Sequence, residues 1–253
     1  MTRLFRATFA TAVVVLLIGN SGRGDSPKDA GATVDKAVQA LGGEAILKSI
    51  KAYSWKTKGK INIGGNESDF TGSTTVDGIN RLRQAFEGEF NGEKIKGLTV
   101  VDGEKGWRKF GEMAMELDKD ALAAAKRTMY LQAAWSNPLV LKEKGFKIKA
   151  AADDKVDGKD AACIEATGPD GKDFKLYFDK TTGLPVKEVA RVVGFGGEEL
   201  TQESYFKEFK VFDGFKTPTK VDIKHDGEKF LNFEASDFKK LDNVDPKTFA
   251  NPL

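Results

Sequence analysis

Few side chains in this 253-residue chain have types and spacing that could do chemistry. The only histidine, His225, sits in Lys224-His225-Asp226-Gly227 at the end of a strand-like run. A histidine-based metal centre takes several ligands, and a Ser/His/Asp triad wants a G-x-S-x-G turn that this sequence lacks. His225 therefore reads as a strand-end residue beside a turn. The only cysteine, Cys163, lies in the apolar run Ala161-Ala162-Cys163-Ile164 and has no second cysteine to pair with. Nothing near it in sequence is electropositive enough to activate a thiol, so it reads as a small buried hydrophobe. Gly194-Phe195-Gly196-Gly197 would need a glycine at 199 for a dinucleotide fingerprint, and Glu199 stands there. It joins two strand-like runs and reads as a hairpin loop. The stretch from Asp153 to Gly158 fails as a calcium loop, because its third place is Lys155 and its twelfth Ile164. It reads as a solvated turn. Asn66-Glu67-Ser68 matches a glycan acceptor, which matters only in a glycosylating host. Carboxylates are numerous enough for a paired-acid glycosidase. Six of the aspartates precede glycine, however, and turn chemistry explains those. No catalytic, metal or cofactor set emerges.

The elements that would have to position any site are written mainly as hairpins. Seven Asp-Gly or Asn-Gly pairs start at Asp77, Asn91, Asp102, Asp157, Asp170, Asp213 and Asp226. Such pairs suit two-residue hairpin turns whose central residues both take positive φ. Several successive pairs are 11 to 14 residues apart, one strand plus its turn. Trp55, Thr57, Gly59, Ile61 and Ile63 alternate with Lys56, Lys58, Lys60 and Asn62, the signature of a half-buried strand. Further strands are predicted over 71–76, 81–87, 94–101 and 106–110. After Phe146 a second run covers 161–167, 172–179, 186–193, 200–211, 219–225 and 229–238. Between the two blocks lies the best helix, 119–135, with Asp118 or Asp120 as cap and Leu122, Ala125, Met129 and Ala133 as stripe. Asn137-Pro138 ends it. A shorter amphipathic helix opens the folded part, capped by Thr33 and carrying Val34, Ala37, Val38 and Leu41, and a second short piece spans 44–50.

The first residues read as an export signal. Arg3 and Arg6 precede an apolar stretch from Ala7 to Ile18, shorter than the roughly 20 residues that span a bilayer. Gly22 and Gly24 would flank a cut before Asp25, which would split the Arg23-Gly24-Asp25 tripeptide; Gly19 and Ser21 offer another cut. The expected organisation is a signal at 1–24, a lead at 25–32 and one domain over 33–253. Without the signal the chain has 37 basic against 38 acidic residues, so the surface carries no footprint for nucleic acid or anionic lipid.

Three segments carry a family resemblance. Asp102-Gly103-Glu104-Lys105-Gly106-Trp107 resembles the DG-x-x-x-W hairpin of Lol-type lipoprotein carriers. Asp179-Lys180-Thr181-Thr182-Gly183-Leu184-Pro185 resembles their D-x-x-T-G-L-P hairpin, and 243–249 with Pro252 resembles their closing segment. Leu41-Gly42-Gly43, followed by the 55–63 strand, is similar to the opening of the outer-membrane lipoprotein-sorting superfamily. The resemblance implies a mainly β, α+β fold: an incomplete antiparallel β-barrel wrapped around a few helices. It implies a periplasmic, monomeric carrier or binder of lipid or lipoprotein acyl chains, without cofactor or catalysis. The alternative on the same fold is an envelope sensor that binds other envelope proteins. The apolar residues expected to line a cavity of several hundred Å³ between sheet and helix are Trp55, Ile61, Ile63, Leu82, Phe86, Leu98, Val100, Trp107 and Leu139. The lid-contacting arginine of the best-known branch has Arg81 or Arg83 as its candidates.

Overall fold

The computed structural model describes residues 29–252 apart from Asn91 and Phe195. The predicted signal, the first part of the lead and the Arg-Gly-Asp tripeptide lie outside the described residues, as do Asn91 and Phe195 of their two turns. Helix α1 (Ala30–Ala40) starts earlier than expected. Asp29, not Thr33, caps it, accepting a 2.8 Å bond from the Gly31 amide. Its predicted stripe of Val34, Ala37, Val38 and Leu41 is buried. Helix α2 (Glu44–Ser49) follows.

The chain then folds as two antiparallel meanders. The first comprises β1 (Ala52–Ile63), β2 (Asn66–Asp77), β3 (Arg81–Phe90), β4 (Glu93–Asp102), β5 (Lys105–Phe110) and β6 (Met113–Glu116). The second comprises β7 (Lys147–Ala150), β8 (Asp154–Val156), β9 (Lys159–Thr167), β10 (Asp173–Asp179), β11 (Pro185–Val193), β12 (Glu199–Phe212), β13 (Phe215–His225) and β14 (Glu228–Leu241). The stretch expected as a solvated turn at Asp153 to Gly158 thus contributes the short strand β8, and β6 is a strand that periodicity did not reveal. All strands join one sheet in the order β6-β5-β4-β3-β2-β1-β14-β13-β12-β11-β10-β9-β7, with β8 beside β9. The first and last long strands are neighbours, so β1 and β14 fuse the two meanders. The sheet does not close, and β6 and β7 are its two ends.

Turn chemistry divides the hairpins. Asp157, Asp213 and Asp226 have φ of 49°, 49° and 47°, and each is followed by a glycine of positive φ. These three pairs are the two-residue turns that the Asp-Gly signal predicts, closing Val156 to Lys159, Phe212 to Phe215 and His225 to Glu228. At Asp77, Asp102 and Asp170 only the glycine takes positive φ. Asp77 pairs with Arg81, so that loop is longer than two residues.

The strand path bends where single residues bulge out of register. Glu208 and Asp237 adopt φ of 51° and 53°, and the β1–β14 register slips between Ser54 and Lys56. The curved sheet wraps around α3 (Lys119–Ser136), which with a 3-10 turn at Pro138–Lys142 links one sheet end to the other. On one side of α3, Ala125 and Met129 pack on Val76, Leu82 and Val101. On the other, Leu131 and Ala134 join Ile164, Leu176, Phe178 and the α1 stripe. The helix is held at several points. Asp118 caps it with a 2.8 Å bond from the Ala121 amide. The Tyr53 hydroxyl lies 3.1 Å from Ser136 Oγ and accepts from Gln132 at 3.2 Å. The buried Arg127 guanidinium donates to Asp170 (3.2 Å) and to the carbonyls of Lys172 (3.0 Å) and Asp173 (2.8 Å). Among the described residues, no helix is long and apolar enough to cross a membrane.

Candidate functional site

Strand register sorts the first meander into two faces. Trp55 lies opposite Thr74, Thr74 opposite Gln84, Gln84 opposite Thr99, Thr99 opposite Arg108, and Arg108 opposite Met115. This face also holds Val76, Leu82 and Val101, on which α3 sits, so it is the concave one. Helix α3 covers only its near end. Further along the strands, two rows alternate glycine with large apolar residues. One row runs Phe233, Gly59, Phe70, Gly88, Ile95. The other runs Thr57, Gly72, Phe86, Gly97, Phe110.

The glycines of these rows have a steric cause. A Cβ on Gly59 would stand 2.0 Å from the Asn232 carbonyl oxygen and 2.7 Å from the Phe233 Cα. One on Gly97 would stand 2.0 Å from the Phe86 ring. The Phe86 ring therefore lies down over Gly97, while at Gly59 the backbone of β14 comes close, and both approaches suit a tightly curved sheet. The result is an apolar floor that no described residue buries fully at its Phe110, Met113 and Met115 edge. Phe110 is 40 % exposed, Met113 62 % and Met115 52 %, and Phe86 and Phe110 lie 6.0 Å apart. Large apolar side chains this exposed on one contiguous face are the hallmark of a contact surface.

Among the described residues, the two best-formed hollows are not enclosed ligand-sized chambers on this floor. The apolar pocket at the helix side, lined by Ile50, Tyr53, Phe212, Phe215 and Phe238 among others, has room for about 10 Å³. A hollow of about 380 Å³ is bordered by Lys58, Asp69, Phe70, Thr71 and Glu87. The expected cavity of several hundred Å³ between sheet and helix is thus replaced by a packed half, where α3 fills the curve, and an open half.

Solved structures with the same layout fit most of the chain. A LolA superfamily protein from Nitrosomonas europaea superposes with a TM-score of 0.58 at 14 % identity, covering 88 % of this chain and 98 % of its own. The chain shares the fold of LolA superfamily proteins. A DUF1329 family protein from Desulfovibrio piger superposes at 0.54 with 14 % identity, over 87 % of this chain and 96 % of its own. A domain described as an outer membrane lipoprotein-sorting protein, from Vibrio parahaemolyticus, does so at 0.50 with 10 % identity, over 85 % and 97 %. No family model matches the sequence, and no curated protein is significantly similar to it.

The motifs behind the resemblance are packing joints of this fold. Asp179 Oδ1 accepts from the amides of Thr181 (2.9 Å) and Thr182 (2.7 Å) and so shapes the D-x-x-T-G-L-P turn. Gly183, at φ 77°, lets that turn press on α1, where a Cβ would meet Lys36 at 2.9 Å. The Leu41 carbonyl of Leu-Gly-Gly accepts from the Lys216 amide beyond the Asp213-Gly214 turn. Trp107 of DG-x-x-x-W packs with Val100 under Phe249 of the closing segment.

Register therefore splits the expected lining residues. Trp55, Ile61, Ile63, Leu82 and Phe86 are on the concave face. Leu82 is buried under α3, Trp55 stacks on Tyr53 at 5.3 Å and on Phe238 at 6.2 Å, and Ile63 is 45 % exposed. Leu98, Val100 and Trp107 are on the opposite face, against Val244 and Phe249. They cannot line a concave site, because neighbouring strand residues point to opposite faces and Val101 already points inward. Leu139 packs in the 3-10 turn with the core of α1 and α2. Arg81 and Arg83 are also on the outer face. Arg81 pairs with Asp77 and lies 5.2 Å over the Phe249 ring, so it anchors the tail instead of touching a lid.

Sequence reasoning missed Phe70, Ile95, Phe110, Met113 and Met115. Their signal was present as period-two alternation, for example Phe70-Gly72-Thr74-Val76, but the glycines broke the apolar pattern. His225 stacks on Phe230 at 3.7 Å and bonds Gln202 at 3.2 Å, and burial pushes its pKa down. Cys163 is buried, and burial pushes its thiol up. Among the described residues no cluster of acids, histidine and cysteine could hold a metal ion.

Proposed function

We propose that this protein is an exported, non-catalytic binder or carrier of hydrophobic ligands, such as lipid or lipoprotein acyl chains, on the open half of its concave face. The observation that carries the reading is the uncovered aromatic–glycine floor of β1 to β6, with Phe86, Phe110, Met113 and Met115 in reach of solvent. The energetics support it: each buried CH₂ contributes about 0.8 kcal/mol, so a long acyl chain brings on the order of 10 kcal/mol gross. No reacting group is needed for that. The shared fold supports the architecture, and the apolar run of 7–18 supports export to the periplasm. The test is lipid extraction and mass spectrometry on protein purified from its native envelope, together with titration by the neutral dye N-phenyl-1-naphthylamine. We expect a bound amphiphile, dye fluorescence that rises on binding, and a several-fold weaker signal in Phe86→Ser and Phe110→Ser. Protein free of lipid, with a dye signal indifferent to both substitutions, would sink the reading.

A second reading is a sensor or interaction module that binds an envelope protein on the same surface. The exposed Met113 and Met115 on end strand β6 favour it. A stable one-to-one protein complex recovered from envelope extracts without lipid would decide for this alternative.

A further inference from the structure

The open floor is not uniformly apolar, and its one cationic side chain is placed at a border. Across β1 to β6 the charged side chains fall almost entirely on the outer face: Lys56, Lys58 and Lys60 on β1, Arg81, Arg83 and Glu87 on β3, Lys94 and Lys96 on β4, Lys105 and Lys109 on β5. On the concave face the register places only Arg108, apart from Glu93 at the first position of β4. Arg108 is exposed. No ion pair or hydrogen bond engages it among the described residues, so its guanidinium is open to a ligand. Its row also holds the hydrogen-bonding side chains of Thr74, Gln84 and Thr99. That polar row lies between the strand ends packed under α3 and the apolar rows of Phe70, Phe86, Ile95, Phe110 and Met113.

An apolar molecule lying on the floor would bring Arg108 out of water, and an unpaired charge is costly to desolvate. A ligand with a negative end offsets that cost, because a guanidinium bonds carboxylate and phosphate oxygens with charge-assisted, often bidentate contacts. Same-face positions on β5 repeat every two residues, about 6.6 Å, so a head group on Arg108 leaves its chain at the Phe110 and Phe86 rings. We propose that the ligand is an anionic amphiphile, one carboxylate or phosphate head on an extended hydrocarbon chain, with the head held by Arg108 and flanked by Thr99 and Gln84. This inference rests on the hydrophobic-binder reading and adds the chemistry of the ligand's polar end.

The experiment is calorimetric titration with three probes of equal chain length below their micelle concentrations: hexadecanoate, hexadecyl phosphate and hexadecanol. The wild-type protein should bind the two anions about tenfold more tightly than the alcohol. Arg108→Gln should bring them to the affinity of the alcohol, which itself stays unchanged, while Arg108→Lys keeps most of the preference. Lys109→Gln removes the same charge from the next residue on the outer face and should change nothing; thermal unfolding monitors that all three variants fold. Preference for a single anion would identify the head group. Equal binding of all three probes, or a preference that survives Arg108→Gln, would overturn the head-group assignment and leave the binder reading standing. No binding of any probe would overturn both.

Discussion

Glu188 shows how one residue can set the pH response of the fold. It lies on the concave side of β11, opposite Leu176 and Ser204, only 2 % exposed, and its Oε2 has no hydrogen-bond partner. Burial pushes its carboxyl up to about 8, against the pull of the nearby Arg127 guanidinium. The folded protein therefore holds a proton there that the unfolded chain, near 4.5, releases. Stability from this group is full below pH 4.5 and is lost as pH rises through 8, by an amount on the order of 5 kcal/mol. Urea unfolding of Glu188→Gln across pH 5 to 9 should show that decline flattened; an unchanged slope would assign it to other groups. Arg127 is the opposite case, a buried charge whose bonds to Asp170 and to backbone carbonyls are met. Arg127→Ala leaves those acceptors without a donor and should cost about 3 kcal/mol by denaturant midpoint. A loss below about 1 kcal/mol would mean that water replaces the guanidinium.

At the scale of elements, the glycine rows make the sheet what it is, and two of them separate two roles. The clash at Gly59 is with backbone of β14, which cannot move without breaking the joint between the meanders. The clash at Gly97 is with the tip of the Phe86 ring, which can swing away. Gly59→Ala should therefore lose about 3 kcal/mol of stability, and Gly97→Ala about 1 kcal/mol or less, as read from chemical unfolding. Gly97→Ala should instead weaken dye binding, since the displaced ring is part of the floor. The reverse order of stabilities would contradict this account of the curvature. Legibility at this scale was uneven. Hairpins and the 119–135 helix could be read because turn residues and periodicity are local signals. Strand β6 could not, because Met113 and Met115 alternate over only four residues at an exposed sheet end.

For the whole molecule, the closing segment ties the chain's end to the outer face of the first meander. Phe249 is fully buried on Val100 and Trp107, with Arg81 above its ring. Phe249→Ala should destabilise by about 3 to 4 kcal/mol, with a red shift of tryptophan emission as Trp107 gains water. A full loss of stability without any emission change would place the tail's contribution elsewhere. The same contact explains why Leu98, Val100 and Trp107 were misplaced by sequence reasoning. Both faces of β4 carry apolar residues, one face for α3 and one for the tail, and alternation alone does not say which partner lies on which side.

The antiparallel meanders, several of their Asp-Gly corners, the helix between them and the joints that mark the fold are legible in the sequence, because each rests on residues close in the chain. Which face curves inward, how far α3 fills it, and that Arg108 has no partner among the described residues beside the apolar floor follow from long-range contacts. Those properties depend on β1 meeting β14 and on α3 crossing from one sheet end to the other. Such contacts join residues far apart in sequence, and burial by a distant element leaves no periodic trace in the strand it covers.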